Sequence, residues 1–477
     1  MMAALVLFPW AAALLLALLP GQQWSARLNA AASVVGLALA IGLALGPEPA
    51  AGLLHLDGLN LPLLLIGGFV GATAAIYSLG AVHAEAFPPW AGRAYHASFQ
   101  IFLGAQSLAL LSDNLGVMWV AIEIATLSSV LMVAVHRTPS AIEAAWKFFV
   151  LAGVGIALAL FGTIVLAMAA RPLLDDPESL LSISALRAVA AGADPGLFSL
   201  AAVMLLVGYG TKAGLVPLHS WLPDADAEGP TAISAVLSGL LLNAALHAIL
   251  RVNSIIGLNA EAISPAPFLL VLGLASLLLA SLALWRRRDA RRLFGWSSIE
   301  HIGIAAICFS LPGGAAPGML HLIGHSLLKS AVFYAIGRAI ILKGSQKIAD
   351  ISGLATSHPA LGWGLLLGIA GLAGLPPFPL LMSEIRLLVV AAIFNPWLLV
   401  LLLIGLFTAG AALVTALTKL CWGPETPDAP APAGAPLAGD WTVLGPVWLH
   451  LAVAALLAVG LPGPMGRMLA AAAAVLQ

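Results

Sequence analysis

Apolar runs of about twenty residues recur along the whole chain. As a helix, a run of that length crosses the roughly 30 Å hydrocarbon core of a bilayer. Hydrocarbon offers no partner to a backbone N–H or C=O, so such runs must fold as helices packed against one another. Composition agrees: 61% of the residues are hydrophobic and 9% charged, where a soluble domain carries about a quarter charged. The chain is therefore expected to be an all-α integral membrane protein seated in the lipid bilayer. A net charge of −1 argues against a nucleic-acid partner. Cys308 and Cys421 stand apart in apolar runs, form no C-x-x-C pair and suggest no disulfide, metal or iron–sulfur site. No cofactor and no metal are expected.

Fourteen spans are expected, near 2–20, 28–46, 60–82, 97–112, 115–135, 143–169, 197–216, 231–256, 266–285, 296–311, 317–342, 361–393, 396–421 and 442–462. The first lacks a basic leader and reads as an uncleaved helix. The twelfth is too long for one straight crossing and is interrupted by Gly374, Pro376, Pro377 and Pro379. Loops after odd-numbered spans hold Arg27, Arg93, Arg137, the arginines of 286–292, Lys343 and Lys347; loops after even-numbered spans hold little beyond Arg171, Arg187 and Arg251. The positive-inside rule then places the odd loops in the cytoplasm and the N-terminus outside. Residues 171–195 are expected as an amphipathic surface segment and 423–440 as a Pro/Ala-rich linker.

Lys212 lies within one apolar run, five residues before Pro217, and the chain then leaves the membrane through His219, Trp221, Asp224, Asp226 and Glu228. A lone ammonium at the bilayer centre costs roughly 2.5–3.5 kcal/mol. A proline beside it frees a carbonyl that only protein or a polar cavity can satisfy. That combination points to an ion path. Ala-Gly-Leu-Val-Pro at 213–217 recurs as Ala-Gly-Leu-Pro-Pro at 373–377, five spans later. An odd separation inverts the second copy, as discontinuous helices of an inverted repeat require.

Other titratable residues fall inside spans. Glu123 must be neutral or paired, and Lys212 is its natural partner; a purely structural pair is the weaker alternative, since such pairs add doubtful stability. Asn243 and His247 lie one turn apart on one face of the eighth span. They read as a proton relay that carries protons onward from Lys212 through His247; an isolated histidine bonded to a backbone carbonyl is the alternative. His321, His325 and Lys329 follow i, i+4, i+8 spacing and line one stripe about 12 Å long. Two histidines and a lysine make a poor metal site but a good series of proton carriers. Glu384, past the second break, could close the path, with Glu300 and His301 flanking it. Asp224, Asp226 and Glu228 read as a proton-intake funnel or as caps. Glu143 and Lys147 read as a surface ion pair, and the arginines of 286–292 as a topology anchor.

The stretches NLGVMWVAIEIATLSSV (114–130), AIEAAWKFF (141–149), GYGTKAGLVPLHSWLPDA (208–225), SGLLLNAALHAILR (238–251), SSIEHIGI (297–304) and HLIGHSLLKSAVFYA (321–335) resemble the antiporter-like, proton-translocating membrane subunits. These occur in respiratory complex I, multi-subunit cation/proton antiporters and membrane-bound [NiFe] hydrogenases. The likeness is greatest to the F-type component of the hydrogenase-4/formate-hydrogenlyase branch. The resemblance implies fourteen helices with two inverted five-helix repeats, each holding a broken helix. It implies that Glu123 modulates Lys212, that His321, His325 and Lys329 form a central axis, and that Glu384 ends the second half-channel. It implies no prosthetic group, a bacterial or archaeal cell membrane, and partners consisting of other membrane subunits and a hydrogenase- or dehydrogenase-like redox arm. Relatives often carry a lysine where Asn243 stands, and a histidine where Asp226 stands.

The chain accordingly divides into 1–96 (three N-terminal helices), 97–256 and 257–421 (the two half-channel repeats) and 422–477 (linker and last helix). Its expected function is proton translocation within a redox-driven complex. The alternative is a cation/proton antiporter or an inorganic-carbon uptake transporter subunit.

Overall fold

Proline and cap residues cut the apolar runs into helices. The computed structural model describes residues 1–18, 22–46, 52–84, 87–430, 441–459 and 463–476. Its helices are α1 (Met2–Leu18), α2 (Gln22–Leu45), α3 (Asn60–Ala84), α4 (Pro89–Leu111), α5 (Leu115–Val133), α6 (Pro139–Ala170), α7 (Ile183–Val189), α8 (Pro195–Lys212), α9 (Trp221–Glu228), α10 (Thr231–Val236), α11 (Leu242–Ile256), α12 (Ala266–Leu284), α13 (Ala290–Ser310), α14 (Ala315–Lys343), α15 (Leu354–Ser357), α16 (Pro359–Leu372), α17 (Pro379–Phe394), α18 (Pro396–Trp422), α19 (Trp441–Val459) and α20 (Pro464–Val475). Among the described residues no strand forms. The linker expected at 423–440 lies outside the described residues from 431 onward, as do the ends of the first and last expected runs, 19–20 and 460–462.

Helix starts follow local chemistry. Asn114, Thr138, Asp194, Asp289 and Asn395 each accept a backbone N–H at the first turn of α5, α6, α8, α13 and α18. Proline occupies the first turn of α6, α8 and α18, where its missing N–H has no helical role. Gly344, in the left-handed region, stops α14.

Among the described residues, eleven helical segments are long and apolar enough to cross a membrane. The span over 231–256 and α14 are covered by their neighbours over the whole of their most apolar 18 residues, whereas only 33% of the corresponding stretch of α2 or α18 is covered. The helices that carry Asn243, His247, His321, His325 and Lys329 are therefore surrounded by protein. By the same measure α5 and α8, which carry Glu123 and Lys212, are 50% and 56% covered, with Lys212 turned inward. Between α10 and α11 the chain makes one π-helical turn, Leu237–Leu241.

Connections between helices gather into two groups. In one, His55 N donates to Leu111 O (2.7 Å), Ile183 N to Asp113 O (2.7 Å), and Asn259 Nδ2 to Ala190 O (2.9 Å). In the other, Ala290 N donates to Gln346 O (2.9 Å), Arg292 pairs with Glu228 (3.2 Å), and Lys343 pairs with Asp428 (2.7 Å).

Candidate ion-translocation site

Both interrupted helices use one backbone solution. At the end of α8, Ala213 N donates to Tyr209 O (2.8 Å), Gly214 N to Thr211 O (3.2 Å) and Leu215 N to Gly210 O (2.9 Å). At the end of α16, Ala373 N donates to Ile369 O (2.9 Å), Gly374 N to Gly371 O (3.2 Å) and Leu375 N to Ala370 O (3.0 Å). Gly214 and Gly374 take φ of +74° and +71°, the left-handed stop that glycine tolerates. Pro217 follows the first stop, Pro376 and Pro377 the second, and all three are at least partly exposed.

The groups freed by the first break are satisfied within the protein. Trp221 Nε1 donates to Thr211 O (2.9 Å), and Ser276 Oγ of α12 accepts from Val216 N (2.9 Å). The Trp221 ring stacks on Phe148 at 4.3 Å between centroids. Against the other edge of this packing lies Lys212, fully buried, with Nζ 6.0 Å from the Phe148 centroid. Lys212 Nζ donates to Glu123 Oε2 (3.5 Å) and, more closely, to Thr126 Oγ1 one turn further along α5. The ammonium thus has a carboxylate, a hydroxyl and a ring face as its partners, which is how a charge persists in a low-dielectric interior.

His219 sits partly exposed in the break, its ring edge-on to Trp296 at 5.1 Å. Asp224 pairs with Lys147 (3.1 Å) and Arg292 (3.5 Å), and Glu228 pairs with Arg292 (3.2 Å). Lys147 also holds Glu143 at 2.8 Å, so this surface pair joins the network that anchors α9. Asp226 is placed quite differently. It is fully buried, its Oδ2 accepts from Ser238 Oγ (2.7 Å), and its Oδ1 has no hydrogen-bond partner among the described residues. From Ser238 the contacts continue into the second half of the chain. Ser298 Oγ meets Ser238 Oγ at 3.1 Å and also donates to Phe294 O (3.1 Å), and Lys329 Nζ donates to that same carbonyl at 3.1 Å. Two serines and one backbone oxygen therefore connect Asp226 to Lys329.

Along α14, Lys329, His325 and His321 are all fully buried. The His325 ring lies tilted against that of His301 (5.2 Å between centroids), and neither His325 ring nitrogen has a hydrogen-bond partner among the described residues. His301 Nδ1 contacts His321 Nε2 at 3.3 Å, and His321 Nδ1 contacts Ser383 Oγ at 2.9 Å. The next residue, Glu384, lays its carboxylate over the second break: a Cβ on Gly374 would stand 2.5 Å from Glu384 Oε2.

The eighth span divides its polar residues between two directions. Asn243 Nδ2 donates to Gly239 O (2.8 Å), inside the π turn, and to Ser326 Oγ of α14 (2.9 Å). His247 is turned the other way. Its Nε2 accepts from Arg251 Nε (3.3 Å), and Arg251 grips Asp57 with two bonds of 2.5 and 2.9 Å. Burial raises the Asp57 carboxyl, but the Arg251 guanidinium and the Asn60 N–H outweigh it and hold it below the ordinary carboxylate value. Asp57 and Arg251 line a cleft of about 350 Å³ with His55, Asp113, Ser184 and Arg187.

Thr126, Ser238, Ser298, Ser326, Ser383 and the Asp57–Arg251 pair belong to this network, and sequence reasoning did not single them out. Among the described residues, no group of three or more His, Cys, Asp or Glu is arranged to hold a metal.

Comparison with known proteins follows the same line. Residues 112–411 match a family profile described as NADH:quinone oxidoreductase/Mrp antiporter, transmembrane. A hydrogenase-4 component F homolog of Methylacidiphilum infernorum is 45% identical over 427 residues, covering 88% of this chain and 90% of that protein. Hydrogenase-4 component B of Escherichia coli is 26% identical over 347 residues, 69% of this chain but only half of that protein's length. Among solved structures, a chain of the archaeal membrane-bound sulfane sulfur reductase superimposes with a TM-score of 0.86 at 22% identity, covering 100% of this chain and 97% of that one. A chain of the Mrp complex of Dietzia sp. gives 0.85 at 19% identity, covering 100% and 98%. At these identities the likeness is one of fold.

Proposed function

This chain belongs to the NADH:quinone oxidoreductase/Mrp antiporter membrane family as an antiporter-like subunit, and from that premise we propose that it moves protons through its buried Glu, Lys and His residues within a redox-driven complex. Protons enter beside Asp224 and Glu228 and load Lys212. They pass by way of Asn243 and Ser326, and from Asp226 through Ser238 and Ser298 to Lys329, reach the His325–His301–His321 series and leave past Ser383 and Glu384. The observation that carries this route is the pairing of fully buried Lys212 with Glu123 and Thr126 beside a broken helix. Drawing Glu123 toward Lys212 stabilises the ammonium, and withdrawing it releases the proton.

Fourteen crossings suit the fold. To the eleven long apolar segments are added α1, α4 and the α16–α17 pair, a broken helix like α8–α9. What supports this count is that the helix connections meet in two groups, each joining loops of one parity. The matching hydrogen bonds at the two breaks favour inverted repeats over 97–256 and 257–421, flanked by 1–96 and 422–477. The group bearing Arg137, Arg286, Arg287, Arg288 and Lys347 is assigned to the cytoplasm of a bacterial or archaeal cell, and the N-terminus to the outside. The partners are other membrane subunits and a hydrogenase- or dehydrogenase-like peripheral arm; the first kind accords with solved relatives that sit in multi-subunit membrane complexes.

The decisive experiment is Lys212→Ala in the assembled complex, with pumping and redox turnover measured together in sealed vesicles. Loss of pumping is expected. Undiminished pumping at undiminished turnover would sink the proposal.

A further inference from the structure

A cleft of about 970 Å³ opens where the ends of α12 and α18 meet the connection after α14. It lies within the range of roughly 300–1,000 Å³ in which proteins hold small ligands. Arg287, Arg288, Lys347 and Lys419 line it, against a single carboxylate, Asp289, which caps the N-terminus of α13 through the Arg292 N–H. Arg291 and Arg292, from the same run of arginines, are engaged elsewhere, on Gly229 O and Ser234 and on Asp224 and Glu228. The four cleft cations are not so engaged. Arg287 donates to Ala283 O (3.1 Å) and stacks on Trp296, while the side chains of Arg288, Lys347 and Lys419 have no ion pair among the described residues. A site with four basic groups and one acidic group is built for an anion.

Its remaining walls say which kind. Leu284, Ala412 and Ala416 form an apolar floor, and α12 and α18 expose large apolar side chains, among them Leu282, Phe407 and Val414. Trp285 at the cleft and Trp422 at the end of α18 are 52% and 57% exposed, and exposed tryptophans at helix ends mark the depth of lipid headgroups. A free anion needs the cations but not the floor, whereas an anionic phospholipid uses both. We propose that this cleft binds the phosphate headgroup of an anionic phospholipid, with Arg287, Arg288, Lys347 and Lys419 around the phosphate and the acyl chains lying along α12 and α18. Basic pockets between helices on the cytoplasmic side bind such headgroups for the same reason. The site is independent of the proton route: it survives if Lys212→Ala pumps normally, and the route survives if the site fails.

The test is native mass spectrometry of the purified, assembled complex in detergent, titrated separately with phosphatidylglycerol, phosphatidylcholine and inorganic phosphate. Phosphatidylglycerol is expected to bind in preference to phosphatidylcholine, and phosphate alone weakly. In the triple variant Arg288→Ala, Lys347→Ala, Lys419→Ala, phosphatidylglycerol should bind on the order of a hundredfold more weakly, since each basic group near the surface contributes to holding an anionic lipid. Arg27→Ala, another surface arginine, should leave binding unchanged. Should the triple variant not assemble, Thr415→Trp, which narrows the cleft without altering its charge, must weaken phosphatidylglycerol binding. Equal binding of phosphatidylcholine, wild-type affinity in either cleft variant, or phosphate binding as tight as the lipid would each overturn the proposal.

Discussion

Lys212 and Lys329 are both fully buried ammonium groups, yet they are held in different ways. Lys212 has a carboxylate within 3.5 Å, whereas Lys329 donates to a backbone carbonyl, Phe294 O, at 3.1 Å, which Ser298 reaches from the other side. Asp226 stands at the far end of that serine pair. In the sequence it is grouped with Asp224 and Glu228, but helical spacing separates them: Asp224 and Glu228 are one turn apart and share a face, and a residue two positions from each points away. Ser298→Ala, which leaves every ionisable group in place, is expected to lower protons pumped per turnover several-fold, and Asp226→Asn, which removes one, should lower it likewise. Coupled pumping assays on assembled complex decide this, and full pumping by both variants would remove Asp226 from the path. The Asp57–Arg251 pair makes a different prediction. Because Asp57 titrates lower folded than unfolded, its contribution is present above the ordinary carboxylate value and is lost as the pH falls through its lowered one. Asp57→Asn should therefore destabilise by about 3 kcal/mol at pH 7, leaving Arg251 buried and unpaired. The gap to wild type should close in strong acid. Thermal melts across pH test it; a gap that is independent of pH would show that the pair is not what Asp57 contributes.

At the scale of elements, α8 reaches its break only because α6 lets it approach. A Cβ on Gly208 would stand 2.6 Å from Ala159 N and from Gly155 O, and one on Gly155 would stand 2.7 Å from Thr211 Cβ. Backbone contact of this closeness is the packing that small residues allow between membrane helices. It sets where Thr211 and Lys212 sit relative to α5. Gly208→Val is expected to cost about 1–3 kcal/mol by overpacking and to reduce pumping, because backbone atoms cannot step aside as a side-chain tip can. Gly153→Ala, on the same helix as Gly155 but with nothing within 4 Å, should be neutral or slightly stabilising. Comparing the two by thermal melting of the purified complex separates close packing from a generic effect of glycine replacement, and equal stability of both variants would refute it. These positions could not be picked out beforehand: the chain has 48 glycines, and only the neighbouring helix distinguishes a crowded one from a free one. The breaks themselves stand out where prolines follow Gly214 and Gly374 beside buried charge; proline alone does not mark them, since Pro9 and Pro446 lie inside α1 and α19.

Across the whole molecule, legibility follows the same physics. Hydrocarbon makes charge conspicuous, so an all-helical membrane fold and the buried lysines, histidines and carboxylates stand out in the sequence. Serine does not stand out, because small polar residues are common in packed membrane helices. Its role emerges only from contacts such as Ser298–Ser238 and Ser326–Gly239, 60 and 87 residues apart. Topology lies between these cases, since loop charges suggest it and loop contacts constrain it. Glu178, in the connection between α6 and α8, belongs to the group that includes Asp113 and Asn259; Ser140, at the start of α6, belongs to the group at the opposite end of that helix. Both are exposed, while the native Cys308 and Cys421 are buried, so the parent chain should be silent to a thiol reagent. Glu178→Cys should be labelled by a membrane-impermeant maleimide in intact cells, and Ser140→Cys only after the membrane is opened. One 32-residue helix separates the two positions. Labelling of both from outside would mean that α6 does not cross, and every loop after it would change sides. The reverse pattern would instead keep the crossings and turn the whole protein over, placing the intake at Asp224 and Glu228 on the outer surface and reversing the direction of proton flow.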